Sequence, residues 1–283
     1  HASAAYMAQQ ILLDQNIKIP FITTLHGTDI TLVGKDPSFE PVINFSINHS
    51  NSVTAVSKSL KKETEKLFKV QKKINVIPNF ICTQDYQLVN NDFYKKRFAP
   101  NNEKIICHIS NFRKVKRIQD VLAAFEIISK KIAVKLILVG DGPERSSLER
   151  LSRESVYSNH IHYLGSLKST KEVLNISDIF FLPSLTESFG LSALEAMACS
   201  VPVISTKTGG IPEVVVHGES GMLSNVGDFK NMAKNALKML SNEHQLNKFK
   251  ANALKQAQKF DVKKILPLYE KLYEDCIEGH FNK

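Results

Sequence analysis

Ile179-Phe180-Phe181-Leu182-Pro183, followed by Glu187-Ser188-Phe189-Gly190-Leu191-Ser192-Ala193-Leu194-Glu195, is the stretch that decides the fold. Four apolar residues closed by a proline predict a short buried strand. Leu191, Leu194 and Ala198 recur at helical spacing, so a helix follows a tight loop. The first turn of a helix carries N–H groups with no intrahelical acceptor, which makes this junction a natural seat for an anion. Glu187 falls in the loop, and Glu195 just over a turn into the helix. A carboxylate cannot hold a phosphate, but it accepts hydrogen bonds from hydroxyls. Two readings follow. One is an amide cradle for phosphate flanked by two hydroxyl acceptors, suited to a sugar nucleotide. The other is a capped, solvent-facing helix with two ordinary glutamates.

The same strand–loop–helix unit repeats on either side. Upstream lie the strand Ile105 to Ile109, a basic loop from Ser110 to Arg117, and an amphipathic helix with Val121, Leu122, Phe125 and Ile128 on one face. Val134 to Val139 is a strand ending in Gly140-Asp141-Gly142-Pro143, and Ile161 to Gly165 is another. Downstream come the strand Val203 to Ser205, the loop Gly209 to Glu213, the short strand Gly221 to Leu223, and three helices. Nearer the start, strands at Phe21 to Leu25, Ser52 to Val56 and Ile74 to Ile77 alternate with helices. His26-Gly27-Thr28-Asp29 closes the first of them, where α/β folds place ligands. Cys82 to Asn102 is polar and poorly periodic and reads as a linker. Alternation of this kind predicts α/β architecture with parallel, doubly wound sheets. The expected domains are 1–102, 103–260, and a terminal helix over 261–283 that packs back on the first. The first domain has few strands, and the rest of it is expected to precede His1.

Length and composition fit this picture. The chain has 283 residues, 43% hydrophobic and 23% charged, enough for two ordinary cores. Net charge is +9, but the basic residues are scattered, and no aromatic-and-basic nucleic-acid motif accompanies them. No apolar run is long enough to span a membrane. The four cysteines, Cys82, Cys107, Cys199 and Cys276, lack CxxC spacing. They read as reduced thiols of a cytoplasmic protein rather than disulfides or metal ligands.

Four motifs now stand in order: a basic loop after the strand Ile105 to Ile109, Val139 to Glu144 (VGDGPE), Glu187 and Glu195 as E-x7-E, and Thr208 to Val215 (TGGIPEVV). Together they resemble the retaining glycosyltransferases of the GT-B fold, in the large E-x7-E family (family 4-like). That fold has two Rossmann-like domains facing a cleft; here the first is expected to be incomplete. Thr23 to Thr31 (TTLHGTDIT), Val53 to Ser57 (VTAVS) and His108 to Arg117 (HISNFRKVKR) resemble the branch that moves GlcNAc from UDP-GlcNAc to the hydroxyl of L-malate in bacillithiol synthesis. Alternatives are a sibling enzyme with another acceptor or nucleotide sugar, or a nucleotide-sugar-binding module without turnover.

The resemblance implies roles. Arg113 and Lys116 match the clamp on the donor diphosphate, while Lys114 and Arg117 face solvent. Glu187 accepts from a hydroxyl of the donor sugar, and Glu195 from the ribose hydroxyls. Phe189, Gly190 and Leu191 offer backbone amides to sugar and diphosphate. Gly165, Ser166 and Leu167 match the loop whose backbone meets the uracil. Thr24, His26 and His1 lie on the acceptor side. Ser52 stands where relatives of the branch often carry an arginine, which weakens the malate assignment or means that another cation substitutes. No catalytic base is assigned, because the resemblance implies that the leaving diphosphate oxygen helps deprotonate the incoming hydroxyl. No metal or other cofactor is expected, and neither a nucleic-acid partner nor an integral membrane segment; a homo-oligomer stays open.

Overall fold

The computed structural model describes residues 2–27, 30, 36–86 and 91–281. The chain divides into two compact units, His1–Phe80 with Val262–Lys283, and Ile81–Asp261.

The first unit carries α1 (Ala2–Asp14), β1 (Ile22–Leu25), α2 (Glu40–His49), β2 (Ser52–Ala55), α3 (Lys58–Leu67) and β3 (Ile74–Val76). Its strands form a parallel sheet in the order β1-β2-β3, with Ile22 opposite Ser52 and Val53 opposite Ile74. Parallel neighbours require crossover connections, which α2 and α3 supply. Ser57 caps α3 by accepting the Leu60 N–H at 3.0 Å. Leu25, Val53, Ala55, Leu60 and Ile74 are almost fully buried. By contrast, α1 buries none of its residues, and Met7 and Ile11 are 65% and 61% exposed. The terminal helix, Val262–Phe281, belongs to this unit.

The second unit runs α4 (Asp92–Phe98), β4 (Lys104–Ile109), α5 (Ile118–Ser129), β5 (Val134–Val139), α6 (Arg145–Glu154), β6 (Ile161–Gly165), α7 (Lys171–Ile176), β7 (Ile179–Leu182), α8 (Leu191–Ala198), β8 (Val203–Thr206), α9 (Ile211–Val214), β9 (Gly221–Ser224), α10 (Phe229–Leu240) and α11 (Glu243–Ala257). The six strands are ordered β6-β5-β4-β7-β8-β9, every neighbouring pair parallel. Val121, Leu122, Phe125 and Ile128 of α5 join Leu136 and Leu138 of β5 and Met232, Ala236 and Met239 of α10 in one core. Each large side chain so buried stabilises the unit by roughly 1.5–3 kcal/mol.

Residues Cys82 to Asn102 differ from the expected linker. They lie in this second unit and contain a 3-10 turn, Thr83–Tyr86, as well as α4. Asn91 caps α4 by accepting the Tyr94 N–H at 3.1 Å, and Lys95, Lys96 and Arg97 fall in its last turn. Phe98 is the one buried residue among its seven, so no apolar period marks it. The stretch Gly209 to Glu213 likewise contains the start of a short helix, α9.

Candidate functional site

The strand order decides where the site lies. From β4 the chain builds outward through β5 to β6, then returns to place β7 on the other side of β4. In an open parallel sheet the crevice beyond the carboxyl ends of the strands flanking such a reversal is the ligand-binding position. The loop after β4 carries Arg113 and Lys116, and the loop after β7 carries Glu187 to Gly190. Two segments about seventy residues apart in the chain therefore meet.

They meet through a charge pair. Lys116 Nζ lies 2.5 Å from Glu187 Oε1, with side-chain exposures of 19% and 13%. Ser184 Oγ donates to the same oxygen at 2.8 Å. The loop bearing Glu187 is fixed from behind, because the Gly210 N–H donates to the Glu187 carbonyl at 2.8 Å. Gly209 has φ +51°, and a Cβ there would lie 1.9 Å from the Glu187 carbonyl oxygen. The glycines of TGGIPEVV thus serve close packing against the E-x7-E loop.

Gly190 precedes α8 with φ +98°, a region that L side chains rarely adopt. It turns the chain so that Leu191 opens the helix, where first-turn donors lack an i−4 acceptor. The Phe189 ring is 3% exposed and packs edge-on against Phe260 at 5.6 Å between centroids. Glu195 stands just over a turn into α8, and burial raises its carboxyl above the usual range, opposed by a hydrogen bond from the Tyr86 hydroxyl.

Arg113 begins the 3-10 turn Lys114–Lys116 and is exposed. Arg117, expected to face solvent, is half-buried instead: its Nε and Nη2 reach the Asp120 carboxylate at 2.7 and 3.1 Å. His108, one turn of the chain earlier in β4, is fully buried. Its Nδ1 donates to the Phe181 carbonyl at 2.8 Å and its Nε2 accepts from Ser110 Oγ at 2.7 Å. That bond ties the last residues of β4 to β7, and burial holds the imidazole down at about 4.

Gly165 ends β6 with φ +69°, and its carbonyl accepts the Gly140 N–H at 2.8 Å. Ser166 and Leu167 are exposed beyond it, at the same carboxyl edge of the sheet. Asp141 acts as a turn residue: it accepts the Gly142 N–H at 2.7 Å and pairs with Arg145 at 3.1 Å.

In the first unit, Thr24 of β1 accepts a hydrogen bond from Thr54 Oγ1 at 2.9 Å, and His26 is exposed just beyond the strand. His1, Thr28 and Asp29 lie outside the described residues. Among the described residues no group of three or more His, Cys, Asp or Glu could hold a metal ion, and no helix is long and apolar enough to cross a membrane. All four cysteines are free; Cys107 and Cys199 are buried, whereas Cys82 and Cys276 are partly exposed.

Two neighbours of these glutamates escaped the sequence reading. Ser184 sits between a strand and a loop with no pattern to flag it. Tyr86 lies in the segment read as a linker, and only the tertiary fold carries it to Glu195.

A doubly wound sheet with a basic loop and an acidic loop at its switch point defines a class, and comparison with known proteins gives its family. The family profile described as "Glycosyl transferases group 1" matches residues 90–256, and that described as "Glycosyltransferase Family 4" matches residues 1–85. The chain belongs to this glycosyltransferase family and has the GT-B fold. N-acetyl-alpha-D-glucosaminyl L-malate synthase of Bacillus anthracis is 43% identical over 100% of this chain and 74% of its own length. An uncharacterized glycosyltransferase of Methanocaldococcus jannaschii is 27% identical over 93% of this chain and 71% of its own. Among solved structures, Anabaena HepE in complex with UDP and glucose superposes with a TM-score of 0.78, at 22% identity over 89% of this chain and 71% of that one. Sucrose-phosphate synthase of Thermosynechococcus elongatus gives 0.82, at 21% identity over 95% and 71%.

Proposed function

We propose that the chain transfers N-acetylglucosamine from UDP-N-acetylglucosamine to the hydroxyl of L-malate, with retention at the anomeric carbon. The observation that carries this reading is the match over the whole chain to the Bacillus anthracis synthase. The second unit is then the donor side and the first unit the acceptor side, with Thr24 and His26 among the acceptor-side residues. His1 is assigned there from the sequence alone.

The site's chemistry supports these roles. As the bond from the sugar to the diphosphate breaks, negative charge gathers on the leaving oxygens, and preorganised cations lower the cost. Lys116 is already desolvated and aimed by Glu187, and Arg113 supplies a second cation from the same loop. Glu187 Oε1 is taken by Lys116 and Ser184, which leaves Oε2 for a hydroxyl of the donor sugar. Glu195 accepts the ribose hydroxyls. Amides at Phe189, Gly190 and Leu191 face the sugar and diphosphate, and Gly165 to Leu167 line the uracil. The leaving diphosphate oxygen takes the proton of the malate hydroxyl on the same face, so no enzyme base is required. Four free thiols fit a cytoplasmic setting.

The test is UDP release from UDP-N-acetylglucosamine with L-malate and with a panel of other hydroxy acids and sugars. Release with malate, and product carrying an α-linkage, is expected. Turnover with another acceptor but not with malate would overturn the acceptor; failure to bind UDP would overturn the donor.

A further inference from the structure

Glu195 has a neighbour to which none of these roles is assigned. The Thr83–Tyr86 turn packs against α8, and the Tyr86 hydroxyl donates to the Glu195 carboxylate. We propose that Tyr86 is a positioning residue for nucleotide binding: its hydroxyl fixes the Glu195 carboxylate in the orientation that accepts the cis-diol of the ribose. This rests on the reading of Glu195 given above and extends it by one residue.

The turn is held firmly enough for the task. The Thr83 N–H donates to Asp261 Oδ2 at 3.1 Å, and the Thr83 hydroxyl donates to the same oxygen. The Ile81 N–H donates to the Phe260 carbonyl at 3.1 Å, with Ile81 and Asp261 paired as an isolated parallel bridge. Lys171 Nζ of α7 stands 5.3 Å from the centre of the Tyr86 ring, a cation–π contact that restrains the ring. The ring is thus anchored at its backbone and on its face, and its hydroxyl is left to address the carboxylate.

The direction of the bond is fixed by chemistry. Burial, then the charge of Glu195, pushes the Tyr86 phenol up to about 12, so it stays protonated, and a donor, around neutral pH. An ionised carboxylate has about four acceptor positions on its two oxygens. One bond from Tyr86 therefore leaves room for both ribose hydroxyls. Burial works against the ionised form of Glu195, and the Tyr86 bond works for it. The other titratable groups around this pair are Asp85 of the turn, Cys199 at the carboxyl cap of α8, and Lys171 of α7.

The experiment measures UDP affinity by calorimetry over a series of pH values for the wild-type chain, Tyr86→Phe, Tyr86→Leu and Glu195→Ala, alongside steady-state turnover. Tyr86→Phe keeps the ring on Lys171 and loses only the hydroxyl. Loss of a hydrogen bond to a charged group predicts about tenfold weaker UDP binding. KM for the nucleotide sugar rises by the same factor while kcat stays nearly constant, the pattern of lost ground-state binding. The pH below which UDP affinity falls moves upward, because Glu195 has lost the donor that favours its ionised form. The ionisation of the nucleotide's own phosphate is common to all variants and cancels in the ratio. A merely structural tyrosine would lower the melting temperature in Tyr86→Leu and leave that pH limb in place. If Glu195→Ala binds UDP like the wild type, the reading of Glu195 fails. If Glu195→Ala loses UDP while Tyr86→Phe keeps wild-type affinity and an unshifted limb, the Tyr86 proposal alone is overturned.

Discussion

Replacing Lys116 by Met separates structure from chemistry at the switch point. The substitution keeps the length of the side chain and removes its charge. Glu187 is then left 13% exposed, its Oε1 held by Ser184 alone. Breaking a largely buried pair by deleting one partner costs about 3–5 kcal/mol, because the surviving charge is stranded away from water. Both groups here retain some exposure, so the lower end, about 3 kcal/mol, is expected. In a unit of this size that corresponds to a fall of roughly 6–12 °C in melting temperature. The double variant Lys116→Met with Glu187→Gln removes the stranded charge and still accepts from Ser184, so most of that loss should return. Activity should not return with it. A cation that stabilises the leaving diphosphate is worth about a hundred- to a thousandfold in kcat, and neither variant has one at position 116. Thermal unfolding followed by circular dichroism gives the first quantity, and UDP release under saturating donor gives the second. A double variant that regains both melting temperature and turnover would refute the assignment of Lys116 to the diphosphate and reduce the pair to a structural bridge.

Other outcomes follow from single contacts. Glu195→Ala should weaken UDP binding at least tenfold, as hydrogen bonds to a charged acceptor are lost; calorimetry with UDP checks this without any acceptor. Gly209→Ala forces a Cβ to 1.9 Å from the Glu187 carbonyl, so both loops must shift; lower melting temperature and lost UDP binding are expected together. His108 predicts an acid limb in stability. Its folded value of about 4 lies below its ordinary 6.5, so below about pH 6.5 the unfolded chain takes up a proton that the folded chain refuses. Stability should therefore fall as pH drops from 6.5 to about 4, by about 3 kcal/mol. Urea midpoints across that range should show the slope, and His108→Asn, whose amide still donates to Phe181, should flatten it.

Much of the second unit was legible in the sequence because its strands are short apolar runs separated by glycine and proline signals. Phe229–Leu240, the first of the three helices expected after the last strand, feeds one face, with Met232, Ala236 and Met239, into the core. The seven-residue α4 was hidden because a helix that buries a single phenylalanine leaves no period to find. Arg117 reads as solvent-facing because no residue-type signal marks its left-handed backbone step before α5, from which its side chain pairs with Asp120 three residues on.

The sequence by itself determined the alternation of strands and helices, the loops that follow β4 and β7, and the residue types those loops present. Hydrophobic period and turn chemistry are local properties, and a linear string carries them in full. Only the tertiary structure decided that Lys116 and Glu187 form a desolvated pair, that Gly209 exists to let a second loop approach Glu187, and that Tyr86 reaches Glu195. Each has its own long-range cause: the reversal at β4 brings the loops of Lys116 and Glu187 together, β8 lying beside β7 sets Gly209 against Glu187, and the bridge between Ile81 and Asp261 holds the turn that carries Tyr86.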